Sequence, residues 1–307
     1  MSRGSSAGVA VATSLAALAI GCGSEGSGGA DGSELTIIAT TTQVGDLVRN
    51  VAGRRGEVSQ LLQPGADPHD YEPRPSDSRA VAEADVVFRS GGEVDGWLGD
   101  LIESAGSDAK VVTLIDGVRR RGEDPHWWQD PRNAARAVGA IRDALSKADP
   151  AGRAVYERSA ARYGRALGGL DRSVARCIRS VPASQRRLVT THDALGYFAD
   201  RYGIEVVGAL IPSLSTEAQP SAGDTAKLVE QIRDERVNAV FPESSLNPKL
   251  ERAVSRQAGA HVGGRLWADT LGPRGSGGET YIRSIASNTE TLVRGFSGGR
   301  KSCRPRA

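Results

Sequence analysis

Short β-branched apolar runs alternate with amphipathic helical patterns along this chain, in two sets separated by a stretch, 151–179, that holds neither proline nor a strand-like run. In the first set the strand-like runs fall at 35–40, 58–62, 86–89 and 111–115, with helical patterns at 43–51, 76–84, 97–104 and 131–147. The second set places strands at 187–191, 204–210, 239–241 and 261–266, helices at 193–202, 222–236 and 249–258, and a closing helix at 280–296. Alternation of this kind commits a chain to parallel sheets covered on both faces. At 307 residues the chain also exceeds what one core ordinarily serves, since single cores stop growing near roughly 250 to 300 residues. The expected fold is therefore α/β with two lobes, each a mainly parallel four-stranded sheet flanked by helices. Between them, 151–179 mixes apolar and basic residues at helical spacing, and a helix of that length runs about 43 Å. One long helix is thus expected to join the lobes, with Gly164, Gly168 and Gly169 as the places where it could bend. The divisions that follow are 34–148 and 182–298 for the two lobes and 149–181 for the linking helix.

The ends of the chain have a different character. Arg3 precedes an almost uncharged apolar run, 7–20, which is too short for a convincing membrane span and ends at Ala19-Ile20-Gly21-Cys22. Residues 1–21 read as a signal peptide, and 22–33, rich in Gly and Ser, as a flexible tether. At the other end 299–307 is a basic tail, expected to be solvated. Cys177 and Cys303 remain in the folded part, and an oxidising compartment allows them to pair. Sequence alone leaves that pairing open. With 39 basic and 37 acidic side chains the chain has no general excess of positive charge, which argues against a nucleic-acid partner.

Only four histidines occur, and three stand in loops or turns that follow strands: His69, His126 and His192. In open parallel sheets that edge is where ligands bind. Asp269 takes the equivalent place after the last strand, so each lobe offers two donors to the cleft between them. Three imidazoles and one carboxylate complete a four-donor set for Zn(II) and leave no open position for a reactive water. Each histidine taken singly is more often a packed or surface residue than a ligand; three at equivalent strand ends carry the argument. His261 begins a strand, at the opposite end from the others, and reads as structural. Glu243, which also ends a strand, is a rival to Asp269 or an orienting partner. Asp67, Asp124 and Asp130 could orient imidazoles or merely shape proline turns. Tyr71, Trp127, Trp128 and Trp267 flank these positions and could wall them from water, with core packing as their default role. No His-Glu-x-x-His occurs, and no Gly-x-Ser-x-Gly or phosphate-binding loop motif follows a strand.

The runs Pro64-Gly65-Ala66-Asp67-Pro68-His69-Asp70-Tyr71-Glu72-Pro73, Asp124-Pro125-His126-Trp127-Trp128, Thr191-His192-Asp193-Ala194-Leu195-Gly196 and Phe241-Pro242-Glu243-Ser244-Ser245 occur in this order along the chain. In form and order they resemble the zinc/manganese-binding lipoproteins of bacterial metal ABC importers. The Ala19-Ile20-Gly21-Cys22 stretch likewise resembles a lipobox, which implies lipid on Cys22 and anchoring to the outer face of the cell membrane. The resemblance implies two α/β lobes joined by a rigid helix, a buried metal held by His69, His126, His192 and Asp269, and delivery of that metal to a membrane permease by a monomer. The third histidine looks more like the zinc branch, where the manganese branch tends to carry a carboxylate; Mn(II) stays open. The short run 116–123 departs from the His-rich loop that zinc members often carry. Two other classes stay in view: a zinc hydrolase with Glu243 as general base, and a surface adhesion lipoprotein with structural zinc.

Overall fold

The structure, a computed structural model, describes residues 35–307 together with the isolated positions 1, 4, 5 and 8. The expected signal peptide, the lipid-bearing Cys22 and the tether lie outside the described residues. The unit from Ser33 to Ala307 is compact. Its first half runs β1 (Leu35–Ala39), α1 (Thr42–Ala52), β2 (Gly56–Gln60), α2 (Pro75–Ala82), β3 (Val86–Arg89), α3 (Leu98–Ala105), β4 (Lys110–Thr113) and α4 (Pro131–Ala148). Then come α5 (Arg153–Arg179), β5 (Arg187–His192), α6 (Gly196–Tyr202), β6 (Glu205–Ile211), α7 (Ala222–Asp234), β7 (Ala239–Val240), α8 (Lys249–Ala258), β8 (His261–Val262) and α9 (Tyr281–Phe296).

The first four strands form one parallel sheet in the order β2-β1-β3-β4, with Ile37 of β1 opposite Val58 on one side and Val86 on the other. All of its carboxyl ends therefore point the same way, toward the loops that carry His69 and His126. In the second half β5 pairs with β6 and β7 with β8, all parallel; the bridge Thr190–Phe241 joins the two pairs into the order β6-β5-β7-β8, and the bridge Glu243–Leu266 continues the β7–β8 pairing. The last two strands are shorter than the 239–241 and 261–266 expected. Pro242 has no N–H to give a ladder, and Gly263 lies so close under the Phe241 ring that a Cβ there would meet Cδ1 at 2.5 Å. Sheet pairing yields at that point to the packing of the ring.

α5 spans about 40 Å at 1.5 Å per residue and runs without interruption through its three glycines. The bend considered from the sequence is absent. Its inner face, including Tyr156, Leu167, Leu170 and Ile178, joins one buried cluster with Leu47 of α1, Leu145 of α4, Phe198 of α6 and Phe296 of α9. The two sheets thus share a core around this helix rather than each owning a separate one, and a smaller cluster under α7 and α8 completes the second half.

The basic tail is packed, not solvated, which corrects the expectation. Cys303 is disulfide-bonded to Cys177 of α5, Arg306 N donates to Ser173 Oγ, Pro305 is buried and Arg304 pairs with Glu290. The chain ends against Gly169, where a Cβ would meet the Ala307 carbonyl carbon at 3.2 Å. Charge content alone did not show this, because the tail is held by one covalent bond and by backbone contacts. The disulfide closes a loop with a sequence separation of 126, for which restriction of the unfolded chain gives typically about 2 to 5 kcal/mol. Cys303→Ser is expected to lose stability on that scale in denaturant unfolding under oxidising conditions. An unchanged midpoint and slope would show that the disulfide contributes nothing.

Candidate metal centre

His69 stands in the loop between β2 and α2, His126 immediately before a single 3-10 turn at Trp127–Gln129, His192 at the last position of β5, and Asp269 in the coil after the Leu266 bridge. The structure brings all four together: one donor atom from each lies within 4.8 Å of every other. His192 Nε2 is 3.3 Å from His126 Nε2, and the carboxylate of Asp269 lies 3.1 Å from His192 Nε2, 3.4 Å from His69 Nε2 and 3.5 Å from His126 Nε2. Four donors at 2.0 to 2.1 Å around one tetrahedral ion stand about 3.4 Å apart, so these separations already approximate a coordination shell. All four side chains are at most 2% exposed. Nε2 of His69 and both carboxylate oxygens of Asp269 are buried with no hydrogen-bond partner of acceptable geometry. Three orphaned buried donors facing one point fit a cation, because leaving such groups unpaired costs on the order of 1 to 3 kcal/mol each.

The opposite edges of two rings are fixed. His126 Nδ1 faces Asp124 Oδ1 at 2.8 Å, and the same oxygen accepts the His126 backbone N–H at 2.9 Å. His192 Nδ1 faces both oxygens of Glu243 at 2.8 and 2.9 Å, and the His192 N–H also donates to Glu243. A carboxylate on Nδ1 holds the proton there and leaves the Nε2 lone pair toward the centre. Glu243 is therefore occupied on the far side of His192 and is not among the four converging donors. The other two acids considered do not touch imidazoles. Asp67 accepts from the His69 backbone N–H and from Thr216 Oγ1, and Asp130 caps α4 through the Arg132 N–H. His261 is exposed on β8, outside the cluster.

Charge reinforces the arrangement. Burial works against a charged ring at His192, but the carboxylates of Glu243 and Asp269 outweigh it and raise its pKa well above 6.5. At Asp269 burial alone would raise the pKa; His192 and His126 outweigh it and hold the carboxyl well below the usual range. In the metal-free protein a proton on His192 thus balances two buried carboxylates.

Sequence reasoning missed how Asp269 is held. The carbonyl of Ala268, one residue earlier, accepts from Trp128 Nε1 at 2.9 Å, Gln129 Nε2 at 2.8 Å and Gln43 Nε2 at 3.4 Å. Leu271 N donates to Thr42 Oγ1, and Gly65 N to both Thr270 Oγ1 and Leu271 O. A strip of the second half is thereby pinned to the first, and Asp269 rides with the lobe that carries His69 and His126. Trp128 also presents its ring to His126 at 5.4 Å between centroids, so it does wall the centre. Tyr71 instead stacks on Trp97, and Trp267 lies over Gly272 and Gly278.

Four buried donors converging on one point between two parallel sheets could hold a metal ion. A family model described as the periplasmic component A of a zinc-uptake complex matches residues 37–295. The chain belongs to this family of metal-binding, substrate-binding components of ABC importers, which work outside the cytoplasm and are not enzymes. It is 35% identical to the manganese-binding lipoprotein MntA of Halalkalibacterium halodurans over 92% of this chain and 96% of that one. To the iron-binding protein YfeA of Yersinia pestis it is 31% identical, over 85% and 86%. Among solved structures, the periplasmic zinc-binding protein TroA of Treponema pallidum superposes with a TM-score of 0.81 at 29% identity, covering 86% of this chain and 99% of that one.

Proposed function

We propose that this protein captures a divalent transition metal with His69, His126, His192 and Asp269 and hands it to a membrane permease. The observation that carries the reading is the set of three orphaned donors, His69 Nε2 and both Asp269 oxygens, aimed at one buried point. The cargo we favour is zinc. Imidazole-rich sites follow the Irving-Williams order, in which Zn(II) binds well ahead of Mn(II). Manganese is the second reading, favoured by the 35% identical relative named for that metal. It is supported as well by the second free oxygen of Asp269, which permits coordination to widen beyond four. Elemental analysis of protein purified without added metal, followed by direct competition between Zn(II) and Mn(II), tests the choice. Retention of manganese against equimolar zinc would overturn the zinc assignment.

The mature chain is proposed to begin at a lipidated Cys22, to act as a monomer at the outer face of the cell membrane, and to divide at 34–148, 149–181 and 182–298. Among the described residues no helix is long and apolar enough to cross a membrane. Glu243 is proposed as the orienting partner of His192 rather than a ligand. Glu243→Gln keeps the shape but removes the charge, and loss of such a partner costs roughly 10- to 100-fold in metal affinity. A competition titration giving wild-type affinity for this variant would argue that His192 needs no such support.

A further inference from the structure

α5 carries seven arginines, and six of them, Arg158, Arg162, Arg165, Arg172, Arg176 and Arg179, lie on one exposed face. At about 100° per residue they fall within an arc of roughly 100°, opposite the buried face of Tyr163, Leu170 and Val174. Four of the six recur every seventh position, from Arg158 to Arg179, so the row extends about 31 Å along the helix. Among the described residues none of the six takes part in an ion pair or donates a side-chain hydrogen bond. The only acidic side chain that the helix exposes is Glu157. Like charges three and four apart destabilise a helix, and Arg158/Arg162, Arg162/Arg165, Arg172/Arg176 and Arg176/Arg179 are four such pairs.

The C-terminal tail widens the row. Pinned by the disulfide to Cys177 and by Arg306 N to Ser173, it runs along the neighbouring flank of α5 and ends at Gly169. It brings Arg300, Lys301 and Arg306 to the surface beside the arginine row, with Arg304 paired to Glu290 and the terminal carboxylate at Ala307 as the opposing acids of the tail. In a chain whose formal net charge is only +2, this concentration on one face is a large local excess. Nothing in metal capture uses it.

We propose that the arginine face of α5, widened by the tail, is a docking surface for the phosphates of anionic phospholipid headgroups. The inference rests on the membrane-anchored reading above in one respect: the anchor supplies proximity. Fields from exposed charges fade over about 8 Å at physiological salt, so the face acts only when already close to a membrane. The 12 residues from Gly23 to Glu34 stand between Cys22 and β1, and a chain of that length spans at most about 40 Å whatever its conformation. Guanidinium groups suit phosphate because their fork geometry gives two parallel hydrogen bonds. Docking would lay the long axis of α5 along the bilayer and fix which way the metal cleft is presented.

The test uses residues 33–307, the compact unit, so that no lipid or signal segment contributes to binding. Co-sedimentation with vesicles containing phosphatidylglycerol is expected at about 50 mM salt, and its loss at about 500 mM; pure phosphatidylcholine vesicles are expected not to bind. Each basic side chain at an anionic surface is worth roughly fivefold in partitioning, so the triple variant R158Q/R165Q/R172Q should bind about a hundredfold more weakly. Metal titration and circular dichroism on the same variant report that it is folded and keep the cargo reading separate, since none of these arginines is near the four donors. The proposal is overturned if phosphatidylglycerol vesicles are not bound, if the triple variant binds them as well as the wild type, or if duplex DNA is bound and the vesicles are not.

Discussion

Asp269→Ala is expected to weaken metal binding by at least two orders of magnitude while leaving the fold in place. Structural zinc sites with four donors are worth about 10 to 16 kcal/mol in total, or on the order of 3 kcal/mol per donor, which corresponds to roughly a hundredfold or more in affinity. The effect should exceed that of Glu243→Gln, because Asp269 supplies the only carboxylate in the cluster and both of its oxygens face the centre without another partner. The fold should survive for a specific reason. The strip that carries Asp269 is held through the main-chain carbonyl of Ala268, the N–H of Leu271 and the hydroxyl of Thr270, none of which the substitution removes. Metal-free Asp269→Ala should even lose a buried carboxylate that otherwise depends on the charged His192. The measurement is a zinc competition titration beside a thermal melt of the apo protein. A loss of affinity below about tenfold would mean that three imidazoles suffice and that Asp269 is not a ligand.

The pinned strip also bears on release. Asp269, although late in the chain, is fastened to the first half, so the four proposed ligands are split mechanically as three against one, with His192 and its partner Glu243 on the second sheet. The sequence suggested two from each lobe. Strand ends are visible in a sequence because β-branched runs stop there, and that is why His69, His126, His192 and Asp269 could be picked out together. The acceptor that ties Asp269 to the other half is a backbone carbonyl, and carbonyls leave no mark on composition. Its donors Gln43 and Gln129 look like any polar residue at a helix start. The same limit explains the tail. Its four basic side chains predicted solvation, whereas a buried proline and one cysteine decided the outcome. The shortening of β7 and β8 was legible only in part. Pro242 and Gly263 are visible breakers, but the ring of Phe241 lying on Gly263 is a tertiary fact. What the α/β alternation did specify was the direction of every strand, and so the edge at which the centre had to form.

Metal affinity should fall steeply with acidity, and at neutral pH binding should expel about one proton per ion. The proton comes from His192, which burial would discharge but which Glu243 and Asp269 keep charged to well above pH 6.5. Only the neutral ring can donate to a metal, so every ion bound below that raised pKa must displace the proton. Between pH 6.5 and the raised value, each unit of acidification is expected to cost about tenfold in affinity, and the dependence should flatten above it. The stability of the metal-free protein runs the other way. A raised histidine pKa contributes stability that is fully present below about 6.5 and is lost as pH climbs through the folded value. Asp269, held well below the usual carboxyl range, contributes stability that persists until pH falls below about 3.9, into its depressed value. Apo and loaded proteins therefore diverge with rising pH: the empty protein gives up its histidine-linked stability over the range in which the loaded one gains affinity. The rise in melting temperature on adding metal should accordingly be larger at pH 8.5 than at pH 6.5. Calorimetry at pH 7 in two buffers of different ionisation heat measures the displaced proton directly. Identical apparent heats in both buffers, together with equal affinity at the two pH values, would mean that His192 is already neutral in the empty site and that the balance of two carboxylates against one imidazolium is wrong.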